Sequence, residues 1–336
     1  MSRAVFAYYR WRGWLDPKQP LEHQVGHALE LAGRFAKRPG SFSDEELTRR
    51  AVPAWTADMM DVTAAWVRAI QKEPLPWVRA RRGQGTALAG KLGATLSSPI
   101  SEALLYTGTE DLFRRSEFHA GEFELQDIAS QAVSVLCRPR PGETWWDACA
   151  GEGGKTLHLS DLMENQGLIW ASDRVEWRLT RLKQRAARAR VFNYRAVLWD
   201  GGVKPPTKTK FDGVLVDAPC TGTGTWQRNP HGRWTTTFAD VRELSAVQGR
   251  LLAHAARAVK PGGRLIYAVC SLTRAETVDV ARVFSAAFPE FKRLPMTPVF
   301  GRGPASPELW MWPQQTGGNG MFVAAWRRSP GGSPGA

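Results

Sequence analysis

The chain has only four cysteines, Cys137, Cys149, Cys220 and Cys270, and none of them belongs to a Cys-x-x-Cys pair. Its six histidines form no cluster beside them. That pattern excludes the usual zinc arrangements, and no metal is expected. Four cysteines in 336 residues also argue against a small secreted fold stapled by disulfides, so a reducing cytoplasmic setting is expected. No run of about 18 apolar residues occurs, and the first residues lack a continuous apolar segment of the kind that directs export. Membrane spanning and export are therefore not expected. Acidic residues are in deficit, with 32 Asp and Glu against 45 Lys and Arg and a formal net charge of +13. That balance suits a polyanionic partner, although a generally basic soluble enzyme has the same composition.

What the chain does have is tryptophan, fifteen in all. Many must be core, but aromatics interleaved with arginine also suit base stacking. Tyr9-Arg10-Trp11-Arg12 and Trp77-Val78-Arg79-Ala80-Arg81-Arg82 have that character. The length suits about two domains. Apolar residues at helical spacing over 21–37, a Ser43/Glu46 capping-box pattern and a further helical stretch from Met60 to Ile70 make residues 1–70 helical. Glycine-punctuated residues 71–120 suggest a small α+β unit, expected to be RRM-like and to contact RNA. Gln126 to Leu136 reads as a helix leading into the next domain.

From about residue 143 the pattern turns regular. Strand candidates near 143–149, 167–172, 195–199, 212–217 and 263–269 are separated by stretches able to hold helices. This alternation predicts an α/β domain over 121–328, with a mainly parallel, doubly wound, Rossmann-like sheet. Phe291 to Met296 and Met321 to Trp326 could close it. The Gly/Pro/Ser-rich segment 329–336 reads as a disordered tail. After Asp173, Val175, Leu179, Leu182, Ala186 and Ala189 make an apolar helix stripe. Arg174, Arg178, Arg181, Arg185 and Arg188 flank it as a row, which is either a solvated face or a phosphate-tracking surface.

Ala148-Cys149-Ala150-Gly151-Glu152-Gly153-Gly154-Lys155-Thr156 follows the first of these strands. A P-loop would need glycine where Cys149 stands, and a dinucleotide loop would need glycine at Thr156. A sharp glycine turn after Asp147 instead suits a small nucleoside cofactor such as S-adenosylmethionine. Asp173 follows at about the 20-residue spacing of a ribose-gripping carboxylate. Asp200 ends the next strand, where an adenine amino group could be read. Both aspartates could equally be helix caps.

Cys220 and Cys270 each follow a strand-like run and lie downstream of this loop. Two strand-end thiols with a nucleoside-cofactor loop suggest methyl transfer to a pyrimidine ring. Carbon 5 of cytosine is a weak nucleophile until a thiolate adds at carbon 6, which is covalent catalysis. Cys137, in an apolar run, reads as a small core residue, and Cys149 as a structural part of the loop. Two other readings stay open: an RNA-binding assembly factor that keeps the fold without turnover, and a methyltransferase of different chemistry, for example on amines.

Four segments resemble the RNA (cytosine-5)-methyltransferases of the Sun/Fmu type. Gln126 to Gln131 resembles the entry motif, and Asp147 to Thr156 the D-x-C-A-A-P-G-G-K-T loop. Asp217-Ala218-Pro219-Cys220-Thr221-Gly222-Thr223-Gly224, followed by Arg228, Pro230, Arg233 and Trp234, resembles D-A-P-C-S-G-x-G. Val269-Cys270-Ser271 with Glu276 resembles T-C-S-x-x-x-x-E-N. The likeness covers residues 121–280 well and the preceding 50 weakly. It implies that Cys270 is the nucleophile, Cys220 assists release, Asp217 contacts the cytosine ring near N3, and Lys155 lies between cofactor and base. It further implies that Ala148 to Lys155, Asp173, Arg178, Asp200 and Asp217 hold S-adenosylmethionine. The substrate would be ribosomal RNA, or alternatively transfer RNA, and the protein a monomer. Several residues depart from the pattern: Glu152 replaces proline, Gly151 alanine, Val269 threonine, Thr277 asparagine, and His231 aspartate. Arg81 stands where asparagine is usual.

Overall fold

The computed structural model describes residues 3–96 and 98–330. It has a helical N-terminal region, a three-stranded antiparallel sheet and an eight-stranded, mainly parallel sheet. The strands, in chain order, are β1 (Trp77–Ala80), β2 (Ala103–Leu105), β3 (Phe123–Leu125), β4 (Thr144–Asp147), β5 (Leu168–Asp173), β6 (Tyr194–Leu198), β7 (Phe211–Asp217), β8 (Val259–Val269), β9 (Phe291–Arg293), β10 (Glu308–Met311) and β11 (Met321–Arg328). The large sheet runs β10-β11-β8-β7-β4-β5-β6, with β9 paired to β11. The β4–β5, β4–β7, β5–β6 and β7–β8 pairs are parallel; β11 is antiparallel to β8. The central strand β7 has near-continuous apolar burial, as a strand covered on both faces must, whereas β6 at the sheet edge is only partly buried. This is the expected Rossmann-like sheet. Strand order reverses beside β4, where ligands bind in open α/β sheets.

Asp147, Asp173 and Asp217 end β4, β5 and β7, and Asp200 follows β6 by two residues. All four therefore sit at the carboxyl edge of adjacent parallel strands. Helices Ile128–Cys137, Gly154–Leu162, Glu176–Arg188, Phe238–Ala256 and Val278–Ala287 cover the two faces. Helix Leu21–Lys37 spans the expected residues. Ser43 caps helix Asp44–Arg50 through Glu46 N, but the Glu46 carboxylate takes Trp14 Nε1–H instead of closing the box. Helix Arg3–Trp11 falls within the expected helical residues 1–70, whereas the edge strand β10 escaped the pattern reading.

The RRM-like expectation is not confirmed. An RRM presents a four-stranded sheet, whereas among the described residues this unit has three strands, in the order β2-β1-β3, and helix Gly85–Leu92. Its strand β3 lies beyond residue 120. In the two arginine–aromatic segments, Arg12 and Arg82 are exposed but four other side chains are buried. Trp11 is fully buried, Arg10 is 4% exposed and Trp77 5%. Arg79, 1% exposed, is ion-paired to Asp161 and donates to Gln126 Oε1. None of these four side chains can lie along a nucleic-acid backbone. In the expected tail, residues 331–336 lie outside the described residues, while Ser329 N donates to the Glu290 carbonyl.

The N-terminal helices do not form a separate core. Trp11, Trp14, Phe35, Phe42, Trp66 and Ile70 pack in one cluster with Trp226 and Leu272, which come from the loops after the two strand-end cysteines. Arg233, fully buried, donates to the carbonyls of Ile70 (2.5 Å) and Trp226 (3.1 Å) and to Gln71 Oε1 (2.6 Å). Burial, and then Arg10 nearby, lowers its pKa.

Candidate active site

The loop after β4 turns on glycine. Gly153 has φ +84°, and a Cβ there would meet Leu182 Cγ at 2.6 Å. Only glycine fits this approach while starting helix Gly154–Leu162. The turn opens a cleft of about 410 Å³. Of the expected cofactor residues, Ala148, Cys149, Ala150, Gly151, Glu152, Gly154, Lys155, Asp173, Arg178, Asp200 and Asp217 line it. Gly153 does not; it packs behind the loop. Ser130, Trp199, Pro219, Val247 and Leu251 line it as well, and sequence reading missed them. Val247 and Leu251 are one helical turn apart, a spacing that could have pointed to one shared face.

Asp173 is tied into the loop: its carboxylate accepts from Gly151 N (3.0 Å) and Val175 N (2.9 Å). A carboxylate has about four lone-pair sites, so two remain for a ligand. Asp173 therefore combines both readings, local turn and ligand-facing carboxylate. Asp200 accepts from Gly202 N (2.8 Å) and is exposed. Asp147 is 1% exposed; its Oδ2 accepts from Thr156 Oγ1 (2.7 Å), while Oδ1 has no partner in the protein. Burial raises its pKa to about 7, with Asp217 and Asp173 adding to the rise.

Past Asp217 and Pro219 the cleft gives way to the thiols. Lys155 Nζ lies 2.6 Å from Asp217 Oδ2. Burial opposes the charge on Lys155, but Asp217 and then Cys270 outweigh it and its pKa rises. Cys220, after β7, and Cys270, after β8, place their Sγ atoms 3.2 Å apart. Both are half-buried and free. The contact with Cys270, burial and Glu276 push the Cys220 thiol up. Cys137 and Cys149 are also pushed up by burial, and Cys137 lies in the core as expected.

Gly224 permits the closest approach in this region. Its N–H donates to the Cys270 carbonyl (3.0 Å), and a Cβ would meet the Gly320 carbonyl oxygen at 2.1 Å. The arginine row is divided. Arg174 and Arg178 line the cleft, whereas Arg185 and Arg188 pair with the buried Glu124. Arg188 also lies over the Phe118 ring at 3.8 Å. Arg181 is exposed. As a whole, the row is therefore not a free phosphate track.

A family model described as 16S rRNA methyltransferase RsmB/F matches residues 134–327. The probable ribosomal RNA small subunit methyltransferase B of Synechocystis sp. is 38% identical over 198 residues, covering 57% of this chain and 40% of that protein. The tRNA (cytosine(72)-C(5))-methyltransferase NSUN6 of Mus musculus is 32% identical over 190 residues, covering 53% and 39%. The crystal structure of PH0851 superposes with a TM-score of 0.77 at 31% identity, covering 85% of this chain and 68% of that one. The chain spans about half the length or less of the first curated relatives it matches.

Proposed function

The chain belongs to the 16S rRNA methyltransferase RsmB/F family, and from that premise we propose that it methylates carbon 5 of a cytosine in RNA through a covalent adduct on Cys270. Ribosomal RNA is the first substrate class and transfer RNA the second, because similar proteins carry both names. The observation that carries the reading is the thiol pair. Two free sulfurs 3.2 Å apart stand at the ends of neighbouring parallel strands, beside the Asp217–Lys155 pair that borders the cleft.

S-adenosylmethionine suits the cleft. The unpartnered Asp147 Oδ1 is a buried acceptor facing a site of ligand size, and it fits the ammonium of the cofactor's amino-acid end. Asp173 would hold the ribose hydroxyls, and Trp199, Val247 and Leu251 would enclose the base. When bound, the cofactor supplies an electrophilic methyl group on a sulfonium.

The residues do the rest. A flipped-out or single-stranded cytosine is needed to reach the thiols. Cys270 first loses its thiol proton to solvent; its Sγ then forms a bond to carbon 6, and the C5–C6 π pair moves to carbon 5, making it nucleophilic. Asp217, oriented by Lys155, meets the ring near N3. Once carbon 5 carries its methyl group, its proton must leave. Cys220 is the adjacent base. Two neighbouring sulfurs do not both ionise readily, but in the adduct Cys270 is a neutral thioether. Cys220 can then lose its proton to solvent and take the one from carbon 5. The C5–C6 double bond re-forms, the S–C6 bond breaks, and its electron pair returns to Cys270.

Incubating variants with total RNA from cells lacking the gene tests the assignment. Cys220→Ala should trap an RNA complex that survives denaturing electrophoresis, whereas Cys270→Ala and the double variant should trap none and transfer no methyl. Trapping in Cys270→Ala would reverse the two roles. Bisulfite sequencing of RNA from cells with and without the gene identifies the cytosine and separates the two substrate classes. An unchanged bisulfite profile would favour the non-enzymatic assembly-factor reading.

A further inference from the structure

The thiol-bearing turns meet at a buried carboxylate that the chemistry above does not use. Glu276 is fully buried. Its Oε1 accepts from Thr221 N (2.8 Å) and Gln248 Nε2 (3.0 Å). Its Oε2 accepts from Thr221 Oγ1 (2.5 Å), Ser271 Oγ (2.6 Å) and Thr273 Oγ1 (2.9 Å). Five donors converge on the one carboxylate, which satisfies the hydrogen-bonding capacity of a buried polar group. Two of the residues supplying them are the immediate successors of the cysteines: Thr221 follows Cys220, and Ser271 follows Cys270. Gln248 reaches this point from helix Phe238–Ala256 and also donates to the Pro219 carbonyl (2.9 Å). Tyr267, on β8, donates to the Glu276 carbonyl (2.6 Å), fixing the carboxylate's own backbone to the strand that leads to Cys270. Thr223 and Ser271 hydroxyls lie 3.1 Å apart, so the two turns touch again behind the clasp.

We propose that Glu276 is a positioning residue that clasps both thiol-bearing turns and thereby sets the separation of the nucleophile and the release thiol. The proposal rests on the two-thiol reading above. Glu276 touches neither the cleft nor the sulfurs; apart from its charge, which helps push the Cys220 thiol up, it acts through Thr221 and Ser271. The two arms of the clasp have different consequences. The Ser271 arm orients the turn that forms the adduct, and the Thr221 arm orients the turn that dismantles it. Thr221 keeps its N–H bond to Oε1 if only its hydroxyl is removed, so the arms can be loosened one at a time.

The test uses the full chain, total RNA from cells lacking the gene, and adduct on denaturing gels as the readout. In a Cys220→Ala background, Glu276→Ala should slow adduct formation about 100-fold, the scale of a misplacement near 1 Å. Glu276→Gln should recover most of this rate, to within about tenfold, because the amide keeps an acceptor at one position and can donate to hydroxyls at the other. With both cysteines present, Ser271→Ala should slow methyl transfer without accumulating adduct. Thr221→Val should instead make adduct accumulate, as a milder copy of Cys220→Ala. S-adenosylmethionine affinity should not change in any of them. Because Glu276→Ala could fail to fold, the single-arm variants carry the test on their own. Adduct formation at the parent rate in folded Glu276→Ala, or the same phenotype from both arms, would overturn the proposal alone. No adduct in Cys220→Ala with Glu276 intact would overturn the two-thiol reading and this proposal with it.

Discussion

The cofactor cleft and the thiol site share Lys155 and Asp217, yet they are held in shape by different means. The cleft is a backbone construction: glycines turn the loop, and its main carboxylate, Asp173, is fastened by two main-chain N–H groups. The thiol site is a side-chain construction, with two turns gathered on one carboxylate by three hydroxyls and an amide. Where a cofactor must be approached closely, side chains are removed. Where two sulfurs must keep a set distance, side chains are added.

That contrast can be broken at Gly224, where the thiol site also depends on a missing Cβ. Gly224→Ala forces a carbon against the Gly320 carbonyl and should destabilise the protein by about 1–3 kcal/mol, as overpacking does. It should also depress methyl transfer, because the Cys270 carbonyl is the same residue's neighbour. Chemical denaturation and a methyl-incorporation assay check both. On the cleft side, Asp173→Ala should weaken S-adenosylmethionine by about 1.5–3 kcal/mol, the scale of charge-assisted hydrogen bonds. Calorimetry measures this, and adduct formation at saturating cofactor should survive if the two sites are built independently.

A smaller effect sharpens the electrostatics. Asp147 has a folded pKa of about 7 against an ordinary 3.8. Between those values the folded state holds a proton that the unfolded chain releases. Its contribution to stability is therefore full below about 3.8 and is lost as pH rises through about 7. The ligand-free protein should lose melting temperature over this window, and Asp147→Asn should flatten the slope. Cofactor affinity should rise over the same window, because the ammonium needs the ionised carboxylate. The smallest effect belongs to Arg178. Its guanidinium is 3.9 Å from Asp173 and 46% exposed, so Arg178→Ala should change cofactor affinity by less than about 1 kcal/mol.

The parallel sheet was legible because buried strands write continuous apolar runs ending in aspartate, as at Val214-Leu215-Val216-Asp217. The glycine loop was legible for the same reason: its constraint is local. The lining residues Val247 and Leu251 were not, since a helix between two strands carries no mark of the cavity it faces, and Trp199, just past β6, reads as one more apolar residue of a strand end. The RRM-like expectation is not confirmed, because short glycine-punctuated segments do not fix strand number. Arg79 misled because an arginine beside tryptophan looks like a stacking surface, and its partner Asp161 lies 82 residues away on another element. The β10 strand was hidden by its brevity and its edge position, where only one ladder holds it.

The family match begins at residue 134, but inheritance and folding need not share a border. Trp226 and Leu272 belong to the reactive loops by sequence and to the N-terminal helices by packing. A chain cut after residue 70 would strip the cover from both, and it would strand the Arg233 guanidinium without the Ile70 carbonyl it now holds. The N-terminal helices are therefore not cargo attached to a catalytic module. They are a wall of the loops that carry Cys220 and Cys270, and a truncation that respects the apparent module border would keep both cysteines and leave their loops no stable packing.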